Sequence, residues 1–124
     1  MLPSPEAEWK TDPRVYIYWA RKDEIGNPGS MRLSSFSHLE NSGGRSSRGS
    51  YGTERVLWLD SDGIPEVDNE QYSAKGVLWH YGGQLTWGPD GMIYLSLGDK
   101  QRADWAPLPD KYSACILRLY RNGT

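Results

Sequence analysis

The peptide His80-Tyr81-Gly82-Gly83-Gln84-Leu85-Thr86-Trp87-Gly88-Pro89-Asp90-Gly91-Met92-Ile93-Tyr94-Leu95-Ser96-Leu97-Gly98-Asp99 holds two strand-like runs around one turn. Leu85-Thr86-Trp87 is a short strand. Gly88-Pro89-Asp90-Gly91 is a tight turn, in which Pro fixes one φ and Asp-Gly supplies the positive φ that hairpins need. Met92 to Leu97 returns as a strand. Its alternation puts Ile93, Leu95 and Leu97 on one face and Met92, Tyr94 and Ser96 on the other. Folding back in this way carries His80 and Asp99 to the open end of the hairpin, where their side chains can meet. A carboxylate beside an imidazole fixes the tautomer and stabilises the protonated ring. That is the construction of a general base, and equally of a structural hydrogen bond. Gly82 and Gly83 leave room for a ligand or another strand to approach the backbone.

The segments around the hairpin have the same character. Val15-Tyr16-Ile17-Tyr18-Trp19 is β-branched and aromatic throughout, as a strand is. Arg21 to Ser30 is turn-like. Met31 to Phe36 reads as a second strand, antiparallel to the first. Glu54 to Leu59 reads as a third, and Ala114 to Tyr120 as the last. Residues 37–53 are rich in Ser and Gly and read as a surface loop. Its Arg45 and Arg48 do not make a phosphate site, because no Lys-Ser/Thr and no helix pattern follow the glycines. Asp60-Ser61-Asp62-Gly63-Ile64 fails as a calcium loop. A glycine at the sixth loop position would put Trp58 at the first, where a carboxylate is required. Lys100 to Lys111 reads as a charged, Pro-containing loop. Residues 1–13, with three prolines, read as an irregular lead-in to a domain over 14–124. About six or seven strands with almost no helix place the chain in the all-β class.

Composition agrees. Six Trp and eight Tyr stand against one Phe, and fourteen Gly with eight Pro imply many turns among 124 residues. A formal net charge of -2 gives no reason to expect nucleic acid or an anionic membrane as partner. One cysteine, Cys115, excludes an internal disulfide, and its apolar neighbours make it a buried small hydrophobe. No run approaches the roughly 18 apolar residues of a membrane span. The first residues lack the charged and apolar regions of a signal peptide.

The peptide His80–Asp99 closely resembles the motif of the glucose/sorbosone dehydrogenases. That motif runs His, any residue, Gly-Gly, any residue, Leu, any residue, aromatic, Gly-Pro-Asp-Gly, any residue, Leu or Ile-Tyr, three residues, Gly-Asp. Val15-Tyr16-Ile17-Tyr18, Arg32-Leu33-Ser34-Ser35-Phe36, Glu54-Arg55-Val56-Leu57 and Ile116-Leu117-Arg118-Leu119 resemble further strands of the family, in the same order, over roughly residues 13–124. The resemblance implies a six-bladed β-propeller, of which this chain would be about one and a half to two blades. It implies oxidation of a sugar or polyol by hydride transfer to pyrroloquinoline quinone in the intact parent protein. His80 would be the general base and Asp99 the residue that orients it. The quinone-binding basic residues and any calcium ligands would lie in later blades, so no cofactor or metal residue is expected here. The remaining blades are then the expected partners, and the fragment alone is expected to be unstable and inactive. By the same resemblance the parent is extracellular or periplasmic, and Asn122-Gly123-Thr124 fits a glycosylation acceptor pattern.

Departures from the family pattern are informative. Gly98-Asp99 is followed by Lys100-Gln101-Arg102 instead of Gly-Gly or Gln-Gly, which puts a bulkier, more basic rim beside the site. Asp104 falls where some relatives place a sugar-contacting residue, and a solvated loop carboxylate is the other reading. Trp79 has two readings as well, stacking on a sugar face or packing between blades. His80-Tyr81-Gly82-Gly83-Gln84-Leu85 is also close to the hedgehog-interacting proteins. The alternative function is therefore a non-catalytic propeller that binds protein or carbohydrate.

Overall fold

In a computed structural model, the structure describes residues 1–22, 28–40, 47–49, 51–60, 80–100 and 103–123. The described residues form eight strands in two antiparallel sheets. The first sheet has the order β1 (Leu2–Pro3), β2 (Arg14–Lys22), β3 (Pro28–Glu40), β4 (Ser47–Gly49), with β5 (Arg55–Leu59) also paired to β3. The second has the order β6 (Gly82–Trp87), β7 (Ile93–Leu97), β8 (Ile116–Leu119). This is the all-β architecture expected of part of a propeller.

The hairpin forms because its apolar face has a partner. Ile93 and Leu95 are fully buried and Leu97 nearly so, while Tyr94 and Ser96 between them are half-exposed. They join Leu85 from β6 and Tyr16, Leu33 and Leu57 from the first sheet in one core. The two sheets therefore bury each other's faces, and each fully buried aliphatic side chain contributes about 1.5–3 kcal/mol. Polar and aromatic contacts cross the same interface. Trp87 Nε1 donates to the Pro3 carbonyl at 2.8 Å, and Tyr16 meets the Trp87 ring edge-on at 5.2 Å. Trp58 meets Tyr112 edge-on at 5.3 Å. Cys115 is half-buried against this core.

Several sequence expectations are corrected. Residues 1–13 are not an irregular lead-in: β1 pairs with β2, and a one-turn helix α1 covers Glu6–Trp9. Ser4 holds the segment down, since its Oγ donates to the Arg14 carbonyl at 3.0 Å and accepts the Arg14 N–H at 2.8 Å. The Ser/Gly-rich stretch is also more regular than a loop. β3 continues through Glu40 and pairs with β4. The buried Arg14 guanidinium bonds Ser35 Oγ, Ser37 Oγ and the Ser35 and Thr53 carbonyls, so these serines act as internal polar partners. Gly43 and Gly44, and Ser61 to Trp79, lie outside the described residues. Met92 is buried and does not share the half-exposed face of Tyr94 and Ser96, because it precedes β7, where the pleat does not yet apply.

The turn differs from expectation in one detail. Gly91 has φ 74°, but Asp90 is not in the positive-φ region. A reverse turn closed by Gly91 N–H to Gly88 O at 3.0 Å is followed by this left-handed glycine, as in three-residue hairpin loops. Asp90 contributes its carboxylate instead. Oδ1 accepts the Met92 N–H at 3.0 Å, while Oδ2 accepts Tyr94 Oη at 2.9 Å and Arg118 Nε at 2.8 Å. One side chain thus locks the turn and ties in β8. The Met92 N–H first, and then Arg118, hold the Asp90 carboxyl below its ordinary pKa.

Two outcomes are expected. The Asp90 contribution to stability is fully present above the aspartate pKa of the unfolded chain, and is lost as pH falls through the lowered folded value. The difference in urea midpoint between the full-length protein and its Asp90→Asn variant should therefore shrink steadily as pH drops from neutral to below about 4, and a pH-independent difference would contradict this role. The second concerns exposed apolar surface: Val56 and Leu59 on β5, and Ile116 and Tyr120 on and beside β8, are all exposed. The 124-residue chain alone is expected to self-associate through such faces, and a monomer by sedimentation with cooperative unfolding would count against it.

Candidate functional site

His80 and Asp99 meet. His80 Nδ1 lies 3.0 Å from Asp99 Oδ1 at the open end of the β6–β7 hairpin. An ionised carboxylate only accepts hydrogen bonds, so in the neutral imidazole Nδ1 carries the hydrogen and Nε2 is the nitrogen left with a lone pair. The His80 side chain is 57% exposed and that of Asp99 34%. The pair is therefore open to a solute and not sealed under apolar cover.

The backbone explains how the pair is held. Register places Gly82 opposite Leu97 and Leu85 opposite Leu95, so one extra residue bulges out of β6. Beyond the bulge the two arms run very close. Gly98 N–H donates to the Tyr81 carbonyl at 3.1 Å, and Lys100 N–H donates to the His80 carbonyl at 3.0 Å. A Cβ at Gly98 would stand 1.9 Å from that same His80 carbonyl oxygen, so only glycine fits. His80 itself has φ 65°, a left-handed conformation that histidine adopts more readily than most residues and that concentrates at functional sites. From the other side, Ser113 Oγ donates to the Asp99 carbonyl at 3.0 Å and Ala114 N–H to the Gly98 carbonyl at 2.9 Å. Both partners of the dyad are thus fixed through their main chain.

Gly83 serves packing between strands and not, on this geometry, a ligand. The Tyr18 ring of the first sheet lies 3.0 Å from where its Cβ would be. Beneath this contact sits a group of buried polar residues. Lys100 Nζ pairs with Asp60 Oδ2 across the two sheets, and both side chains are 0% exposed. Among the described residues Nζ has no hydrogen-bonding partner beyond this ion pair. Removing one member of a buried pair typically costs about 3–5 kcal/mol, because the other charge is left uncompensated. Burial first, and then the Asp60 charge, push the Tyr18 and Tyr81 phenols above their ordinary pKa.

This arrangement corrects the expected rim. Lys100 does not add basic bulk beside the dyad: it is wholly internal, and its charge is taken up by Asp60. Lysine is rarely buried, and its position in a charged stretch gives no signal of an inward partner. Asp60, Ser113 and Gly98 likewise carry no local mark of their role as supports. Asp104 is exposed on a 3-10 turn over Ala103–Trp105. Trp79, Gln101 and Arg102 lie outside the described residues. Among the described residues no group of three or more His, Cys, Asp and Glu could hold a metal. A cavity of about 350 Å³ lined by Arg14, Arg55, Arg121, Glu8 and Asp12 includes none of the dyad residues. Two of its cations are engaged, Arg14 as above and Arg121 by Glu8.

Solved structures can now be compared with this geometry. A crystal structure of glucose dehydrogenase superposes with a TM-score of 0.69 at 22% identity, covering 99% of this chain and 30% of that one. The fold is that of glucose dehydrogenases. A second glucose dehydrogenase gives 0.67 at 22% identity, covering 99% and 32%. A Thermus thermophilus protein whose description reads "oxidoreductase (glucose dehydrogenase)" gives 0.51 at 27% identity, covering 87% and 27%. No family model and no curated protein matches the chain. The chain spans about a third of the length of these glucose dehydrogenases.

The Gly98 contact yields a direct test. Gly98→Ala should lower stability by about 1–3 kcal/mol, since the backbone must part to admit the methyl group. Urea unfolding of the full-length protein would read this as a lower midpoint at constant slope, and an unchanged midpoint would show that the two arms are not as close as described.

Proposed function

We propose that the chain is the dyad-bearing part of a propeller dehydrogenase that oxidises a sugar or polyol, with His80 as general base and Asp99 as its orienting partner. The observation that supports this most is the 3.0 Å Nδ1–Oδ1 contact on an exposed hairpin end, which leaves Nε2 to accept a proton. In this reading Nε2 takes the hydroxyl proton of the substrate as the carbinol C–H bond breaks and its C–O bond becomes a carbonyl. Asp99 holds the ring in the required tautomer and stabilises the imidazolium that forms. The proposed hydride acceptor is a quinone of the pyrroloquinoline type.

The described residues do not fit a clamp for that quinone. Lys100, the cation next to Asp99, is buried against Asp60 and cannot serve. The quinone and any calcium would be held by the rest of the longer protein, in keeping with the share of the glucose dehydrogenases that this chain spans. Asp104 and Trp79 are proposed as sugar contacts, the remaining blades as the chain's partners, and an extracellular or periplasmic location as the setting.

Dye reduction by the full-length protein, reconstituted with the quinone and offered aldoses and polyols, tests this reading. His80→Ala should lower kcat by about 10²–10⁴-fold, the usual worth of a positioned general base. Asp99→Asn should lower it too, by leaving the ring free to take the wrong tautomer. No rate with any sugar or polyol would sink the enzyme reading in favour of a binding propeller. An active His80→Ala variant would remove the mechanism alone.

A further inference from the structure

We propose that Lys100 is a positioning residue for the His80–Asp99 dyad, clamping it to the neighbouring sheet through the buried pair with Asp60. This rests on the dehydrogenase reading for its catalytic consequence, but its structural content stands apart.

Lys100 is bound at both ends. Its N–H donates to the His80 carbonyl at 3.0 Å, and its Nζ meets Asp60 in the space between the sheets. Asp60 is fixed in turn, because its own N–H donates to the Met31 carbonyl of β3 at 2.9 Å. A continuous line of polar contacts therefore runs from β3, through Asp60 and Lys100, to the residue that carries the base. Lys100 also follows Asp99 directly, so any displacement of its Cα moves the acid as well. The backbone at Lys100 is left-handed, with φ 51°. That conformation is unusual for a lysine, and here it accompanies a side chain sent inward and an amide bonded to the His80 carbonyl. Packing alone does not account for such a residue. A buried ion pair adds little to stability over an apolar pair of similar volume, and the geometry it holds is its contribution in this proposal.

The test uses the full-length protein and the double variant Lys100→Met/Asp60→Asn, which removes both charges and leaves neither uncompensated. Nitrogen-resolved imidazole spectra distinguish the tautomers, and the His80 signal is assigned by its loss in a His80→Gln variant. The wild type should show His80 with its hydrogen on Nδ1. The double variant should fold, with His80 moving towards the Nε2–H form that a free histidine favours. Its kcat should fall by about 10²-fold, the cost of a small misplacement of a catalytic group, while KM stays within about twofold, as a loss confined to the transition state requires. A folded double variant with unchanged Nδ1–H signal would overturn the proposal and leave the pair a packing device. If the double variant does not fold, Lys100→Arg supplies the answer. It keeps the charge but displaces the anchor, so a mixed tautomer is expected, and a wild-type spectrum would again overturn the clamp. If the wild type oxidises no sugar yet the tautomer shifts, the dehydrogenase reading has failed and the clamp has not.

Discussion

The carbonyl oxygen of His80 is the point at which the rest of the site is fixed. It accepts the Lys100 N–H at 3.0 Å and lies too near Gly98 for any side chain to intervene. A main chain pinned so tightly at a left-handed residue has little freedom in where it aims the imidazole. The carboxylate on the opposing arm is pinned in the same way, its main-chain carbonyl held by Ser113. The hydrogen bond between the two side chains is thus a consequence of backbone geometry. Among the described residues it depends on no aromatic lid or closed pocket, and the dyad is formed while the His80 side chain is still exposed.

The parts of the fold legible in the sequence are those governed by local physics. Alternation in Ile93, Leu95 and Leu97 marks a face, and a face must be buried. The Gly-Pro-Asp-Gly turn sets the register of the hairpin and brings its open ends near each other, and the one-residue bulge between Gly82 and Leu85, which the sequence does not announce, sets His80 against Asp99. What stays hidden depends on non-local partners. Ser37 resembles a loop residue and Ser35 an ordinary strand residue, and nothing nearby announces that Arg14 bonds both from another strand. Residues 1–13 read as irregular because two residues are too few to show alternation, yet Leu2 and Pro3 find Tyr16 and Val15 across a ladder. Asp90 is legible as a turn residue but not as the acceptor of Arg118 from a strand far along the chain.

Lys100 shows the limit most clearly. Average behaviour predicts that a lysine next to a site faces water and makes the rim basic. The opposite happens because Asp60 arrives from another sheet, and a charge inside a protein is stable only beside its counter-charge. Neither residue by itself carries a mark of burial. The departure from the glycine-rich pattern after Asp99 is visible in the sequence, and it does point to something unusual at that position. The direction of the side chain is another matter, because only the packing of the two sheets decides it.

The same division bears on how much chemistry a chain of this length can contain. A histidine–carboxylate pair is assembled here from one hairpin and the loops that brace it, because Asp99, Lys100 and Ser113, which hold it, all lie in segments that follow or precede the strands of the second sheet. The cation nearest in sequence to Asp99 is turned inward and paired with Asp60, so it does not reach the open end of the hairpin. On the proposed reading the buried pair therefore anchors the base from the neighbouring sheet, through the Lys100 N–H on the His80 carbonyl and the Lys100 Nζ on Asp60.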